Sequence, residues 1–178
     1  HESNTHWLQV ILRPGSVVEG KKGNKQPRLE TLINLWLDHL AACASGTPTY
    51  SIQIGFDATI KFEPITAETA KAYLEHLCDA YLEAFLKPVP VAAKTACAYL
   101  MGVYEGSKNP MEKAYAAFNG THQKQGEYQD SPALQRVFNS FEDIEMMLKP
   151  WAERLYEIIQ NSAKVICHSE NNAVEDDE

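Results

Sequence analysis

The stretch Arg28–Phe62, RLETLINLWLDHLAACASGTPTYSIQIGFDATIKF, decides the fold. In its first half, Leu29, Leu32, Ile33, Trp36, Leu40 and Cys43 recur at helical spacing, which predicts a helix over Arg28–Ser45. Leu35 and Leu37 widen the apolar face, so much of this helix is expected to be buried. Gly46 is a natural C-terminal stop. In the second half the period changes to two. Tyr50, Ile52, Ile54 and Phe56 fall on one face of a strand, and Ile60 and Phe62 are assigned to the corresponding face of the next. A turn at Gly55–Ala58 joins the two into a hairpin, which Pro64 ends.

On the N-terminal side, Trp7–Arg13 (WLQVILR) reads as a strand stopped by Pro14-Gly15, followed by a basic loop, GKKGNKQP. On the C-terminal side, Thr66 caps a helix to about Lys87 with an apolar stripe of Ala70, Tyr73, Leu74, Leu77, Tyr81 and Phe85. Pro88 and Pro90 break the chain before a helix from about Val91 to Tyr104. Asn109-Pro110 opens a helix to Phe118, with Gly120 just past its end. Thr121–Asp130 reads as a polar loop, and Ser131-Pro132 opens another helix. Ser140, with Asp143 three residues on, offers a cap for a last helix, expected to kink near Pro150 and to continue its apolar face through Trp151, Leu155 and Ile158. The expected class is α/β, of α+β character: a small sheet with a hairpin, covered by several helices. One domain is expected over residues 1–165, with an acidic, disordered tail over 166–178.

The chain has 178 residues, enough for one domain with a sizeable core, and a formal net charge of −8, which opposes a phosphate-neutralising surface. Cys43, Cys78, Cys97 and Cys167 have neither the density of a disulfide framework nor the close pairs of a zinc site. Three of them lie within apolar helical patterns and read as small buried thiols, in a reducing, cytoplasmic setting. No apolar run approaches the ~20 residues of a membrane span, and His1–His6 has no signal-peptide character. That end reads as a cut inside a longer chain.

Few residues carry recognisable chemistry. Asp57, Lys61 and Glu63 share one face of the hairpin, and carboxylates with a lysine are what a magnesium-dependent nuclease needs. The order is wrong for that role, since Lys61 precedes Glu63, and a solvated ribbon face is the favoured reading. His39 and Cys43 have the spacing of a metal pair on a helix, but the Leu- and Trp-rich surroundings favour a packing role. His122 is expected in solvent. Lys21, Lys22 and Lys25 are candidates for contact with a nucleic-acid backbone, against the plainer reading of a solvated loop. Phosphate-loop, dinucleotide and serine-hydrolase signatures are absent, and neither cofactor nor metal is expected.

Four stretches in order, LWLDHLAACASG at Leu35–Gly46, KPVPVAAKTACAYL at Lys87–Leu100, QGEY at Gln125–Tyr128 and LQRVF at Leu134–Phe138, resemble the C-terminal region of the RecC family, the gamma subunits of exodeoxyribonuclease V. The resemblance runs from the first strand to about Ile159. It implies a partial PD-(D/E)xK nuclease-like fold that is catalytically degenerate, in which no residue is catalytic. Active relatives carry an acidic residue, any residue and then Lys on the strand ahead of the long helix. Here Ile11 stands at the acidic position and Arg13 where Lys would be, and isoleucine cannot bind a divalent cation. The resemblance further implies a scaffold in an ATP-driven helicase–nuclease of DNA repair and recombination, with RecB-like and RecD-like subunits as partners. DNA would be met within that complex and bound weakly by this chain alone. The rival expectations are an active magnesium-dependent nuclease using Asp57 and Glu63, and a stand-alone helical interaction protein.

Overall fold

A strand, β1 (Trp7–Leu12), leads into a short ribbon, β2 (Val18–Glu19) and β3 (Gln26–Pro27), then a 3-10 turn at Leu29–Thr31 and the helix α1 (Ile33–Ala44). The hairpin follows as β4 (Thr49–Ile54) and β5 (Ala58–Phe62). Three longer helices come next: α2 (Ala67–Leu86), α3 (Ala93–Tyr104) and α4 (Pro110–Asn119). A second ribbon, β6 (Gly120–Thr121) and β7 (Lys124–Gln125), precedes a single turn, α5 (Glu127–Asp130), and a short helix, α6 (Pro132–Val137). The chain closes with α7 (Glu142–Ala152), a π-helical turn at Glu153–Glu157, α8 (Ile158–Ser162) and β8 (Lys164–Cys167). The structure is a computed structural model and describes residues 6–20 and 23–168.

The main sheet has the order β1-β4-β5-β8. β1 and β4 are parallel, with Trp7 opposite Thr49 and Leu12 opposite Ile54. Parallel neighbours need a crossover, and α1 lies within it. β5 runs antiparallel to β4, and β8 antiparallel to β5. The protein is thus a mixed α/β fold with a small sheet and several helices.

The register corrects the expected faces. Ile52 lies opposite Lys61, and Ser51 opposite Phe62, so Ile60 and Phe62 share a face with Ser51 and Gln53 rather than with Tyr50 and Ile52. That shared face is the buried one: Thr49, Ser51 and Gln53 join Ile60 and Phe62 in the interior. A one-residue difference in hairpin register exchanges the two faces of a strand, and alternation alone does not say which apolar row turns inward.

α1 supplies the centre of the core through Leu35, Trp36, Leu40 and Cys43, which meet Ile60 and Phe62. Trp36 is 1% exposed and packs its ring on His39, Phe62 and Tyr73. Thr66 caps α2 as expected, its Oγ1 accepting from the Thr69 N–H. The stripe of α2 is buried only in its first half. Ala70 is buried and Tyr73, Leu74 and Leu77 pack against the core, but Tyr81 and Phe85 are exposed. With 20 residues against the 12 of α1, α2 is about 12 Å longer and overhangs its neighbour.

One further expectation changes. The segment expected as a polar loop over Thr121–Asp130 holds the β6–β7 ribbon and the α5 turn. Pro150 sits inside α7, where it cannot donate to the carbonyl one turn back, and the helix continues through the π-helical turn. β8 runs to Cys167, and the acidic stretch from Ser169 lies outside the described residues.

Candidate functional site

Ile11 and Arg13 lie at the C-terminal end of β1. Ile11 is half-buried and packs against the core, whereas Arg13 is exposed and its backbone N–H donates to the Ile54 carbonyl. Neither side chain brings a carboxylate to this strand end.

Asp57 and Glu63 flank β5 at opposite ends. Six residues of extended chain separate them by about 20 Å, too far to share an ion. Each carboxylate also has other work. Asp57 accepts from the Ser16 hydroxyl and from the Val17 N–H at 2.9 Å, which pins the β1–β2 loop to the hairpin turn. These hydrogen bonds, with Lys25 nearby, hold its carboxyl below the usual range although burial opposes them. Glu63 pairs with Lys164 at 2.6 Å and Lys61 at 3.6 Å, and Lys164 accounts for most of the lowering of its pKa. Among the described residues, no group of three or more His, Cys, Asp or Glu side chains is placed to hold a metal.

His39 is fully buried. Its Nδ1 lies 3.0 Å from Ser51 Oγ, which donates to Gln9 Oε1 at 3.1 Å, and Gln9 Nε2 donates to Asp38. Cys43 Sγ is 3.9 Å from His39 Nε2. The pair therefore joins a polar seam between α1 and the sheet. This seam explains the inward row of β4: Ser51 serves His39, and Gln53 donates to Thr31 Oγ1. Burial pushes His39 below its ordinary value, so it sits neutral in the fold.

Of the basic loop, Lys25 is exposed and lies close enough to Asp57 to act on it, while Lys21 and Lys22 are outside the described residues. His122 is exposed. Cys43 and Cys97 are buried and Cys78 and Cys167 exposed, all four unbridged, and burial pushes the Cys97 thiol far up. No helix among the described residues is long and apolar enough to cross a membrane.

An exposed apolar surface lies on the outer face of the sheet. Leu8, Val10 and Leu12 of β1 are 60%, 48% and 74% exposed, and they stand opposite Tyr50, Ile52 and Ile54 of β4. Phe56 in the hairpin turn and Ile166 on β8 extend the same apolar area. Lys61 lies over the Tyr50 ring, 4.6 Å from its centre. β1 also forms one edge of the sheet, and WLQVIL contains no charge or proline to guard that edge. The alternation in Trp7–Leu12 was the available signal for this face, but a core strand carries the same pattern.

The two landmarks after the sheet meet each other. α3 begins at Ala93 with Ala92 as its cap residue, which has no side-chain acceptor to offer. Glu127 supplies it from the QGEY stretch. Its carboxylate accepts from the backbone N–H groups of Lys94 at 3.0 Å and Thr95 at 2.8 Å, and from Thr95 Oγ1 at 2.9 Å. Lys94 Nζ pairs with Asp130 at 3.4 Å. Tyr128 stacks on Phe118 and donates to the carbonyls of Phe138 and Asn139. Gly126 is pressed against the Phe118 carbonyl and the Gly120 backbone, where any Cβ would collide. The most recognisable segments are thus a structural clasp.

The family model of the RecC C-terminal domain matches residues 4–104, which takes in the sheet strands β1, β4 and β5 and the helices α1 to α3. The RecBCD enzyme subunit RecC of Escherichia coli (strain K12) is 34% identical over 80 residues. Those residues are 44% of this chain and 7% of that protein, so the chain corresponds to a small part of its relative. The QGEY and LQRVF stretches lie beyond the matched segment. With more than half of its residues in the match, the chain belongs to the RecC C-terminal domain family.

Proposed function

We propose that this domain is a non-catalytic scaffold and docking module of a RecBCD-type exodeoxyribonuclease V, acting in double-strand break repair and recombination in the cytoplasm. The observation that carries the reading is the exposed apolar outer face of the sheet with its unguarded β1 edge. Exposed apolar side chains gathered on one face are a mark of an interaction surface. RecB-like and RecD-like subunits are the proposed partners. The parallel β1–α1–β4 unit is compatible with a partial nuclease-like fold, in which Ile11 and Arg13 occupy the degenerate positions. The engagement of Asp57 and Glu63 in structural contacts supports catalytic silence. DNA binding by the chain alone is expected to be weak, because the net charge of −8 opposes counterion release and Lys25 is a single exposed cation beside Asp57.

The test has two arms. The chain is incubated with linear single- and double-stranded DNA and Mg²⁺ or Mn²⁺, and is separately co-purified with RecB-like and RecD-like subunits from the same source. No degradation and retention of a subunit are expected. Degradation abolished by Asp57→Ala or Glu63→Ala would overturn the reading in favour of an active nuclease.

A further inference from the structure

We propose that the C-terminal half of α2 docks an amphipathic helix of a partner protein, one whose apolar stripe is flanked on one side by two basic residues a turn apart. α2 carries two apolar stripes. One faces the core through Ala70, Tyr73, Leu74 and Leu77. The other, Cys78, Tyr81, Leu82, Phe85 and Leu86, follows the i, i+3, i+4, i+7, i+8 spacing of a single helix face. Tyr81, Leu82, Phe85 and Leu86 are 67%, 59%, 79% and 86% exposed, and Cys78 is exposed with them.

The second stripe sits on a fixed platform. Ala80 is buried among the same turns, and Glu83 accepts from Arg154 at 2.8 Å, which ties the end of α2 to the π-helical turn. Tyr81 and Phe85, one turn apart, hold their ring centres at 6.3 Å. A solvated helix face carries charged and polar residues, so five apolar side chains in their place mark an interaction surface. Tyr81 and Phe85 form one ridge along the helix, and Cys78, Leu82 and Leu86 form the next. The groove between two such ridges fits the side chains of a second helix.

The charge beside the stripe selects the partner. Glu75 and Asp79, both exposed, are four residues apart and border the stripe on the side of Leu82 and Leu86. Glu83, on the next turn, is already matched by Arg154 and Lys87. Neither Glu75 nor Asp79 pairs with a cation among the described residues. Two unmatched carboxylates at this spacing favour Lys or Arg at the same spacing on the partner. The same charges repel nucleic acid and anionic lipid. α2 reaches the core through Tyr73 and Trp36, on the covered side of the sheet. This surface is therefore separate from the outer sheet face and does not depend on the docking role proposed for it.

The test titrates the whole chain, by calorimetry, with two designed helical peptides of about 20 residues, long enough to hold a helix in water. Both carry a leucine stripe at helical spacing. In one the stripe is flanked by two lysines four residues apart, in the other by two glutamates at the same positions. The lysine peptide is expected to bind saturably and at least about fivefold more tightly at low salt, with the gap narrowing as salt is added. Glu75→Lys and Asp79→Lys together reverse the preference. Tyr81→Ser and Leu82→Ser together abolish binding of both peptides, with circular dichroism verifying that the variants fold. Binding of neither peptide, equal binding of both, or a preference unchanged by the two lysine substitutions would overturn the proposal. So would adsorption of the chain to phosphatidylserine vesicles that the two serine substitutions abolish, which would assign the stripe to a membrane surface.

Discussion

Replacing Glu127 with alanine removes one acceptor from three donors at the start of α3. The backbone N–H groups of Lys94 and Thr95 and the Thr95 hydroxyl all lie within 3.0 Å of its carboxylate. Losing a helix N-cap costs about 0.5–2 kcal/mol. The lost attraction between a carboxylate and the helix N-terminus adds about 0.3–1 kcal/mol. Glu127 is half-buried, so water re-solvates part of what is exposed, and a net loss of about 2 kcal/mol is expected. For a domain of this length that corresponds to a fall in Tm of roughly 4–8 °C. Urea denaturation of Glu127→Ala and Glu127→Gln, with hydrogen exchange at Lys94 and Thr95, measures it. Glutamine keeps an acceptor oxygen and should lose about half as much, and both amides should exchange faster in the alanine variant. A loss below about 0.5 kcal/mol with unchanged exchange at Lys94 and Thr95 would refute the clasp.

Trp36→Ala should cost about 3–5 kcal/mol, read as a lowered urea midpoint, because the largest fully buried side chain in the core is removed. His39 gives a pH signature. Burial keeps it neutral in the fold, while the unfolded chain protonates it near its ordinary pKa of about 6.5. The unfolded state then binds more protons, so stability present above pH ~6.5 is lost as pH falls from there towards the depressed folded value. Denaturation midpoints compared between pH 7.5 and 5.5 should show this drop in the parent protein and a smaller one in His39→Asn. Asp57→Asn should lower stability by loosening the Ser16–Val17 anchor, with no change in DNA degradation measured with Mg²⁺.

The helices were legible because their signals are local. Thr66, Ser131 and the Asn109-Pro110 step mark starts that the structure uses, and the α1 stripe from Leu32 to Cys43 is buried as its period requires. The sheet was legible as strands but not as faces. Leu8, Val10, Tyr50 and Ile52 alternate as core residues do, yet the inward row of β4 is Thr49, Ser51 and Gln53. What decides that choice is long-range: His39, Gln9 and Thr31 provide partners for the inward polar groups, and no local pattern records a partner 20 or 40 residues away. β8 escaped notice because four residues, KVIC, make a weak strand signal without the register that β5 gives them. The role of Glu127 was hidden for the same reason. Its partners lie more than 30 residues earlier, on a helix whose own cap position is alanine.

The central claim is that the outer face of the sheet docks a partner. It is tested most directly by the affinity of the chain for its RecB-like and RecD-like subunits before and after Leu8→Glu and Val10→Glu are introduced together. Both side chains are about half exposed or more, so the fold should survive, as circular dichroism and the melting curve would verify. The account predicts that one subunit binds the parent chain and that the double substitution weakens this binding at least about tenfold, since charge replaces apolar contact along the β1 edge of the face. Equal binding by the parent and the substituted chain, or binding to neither subunit, would contradict it.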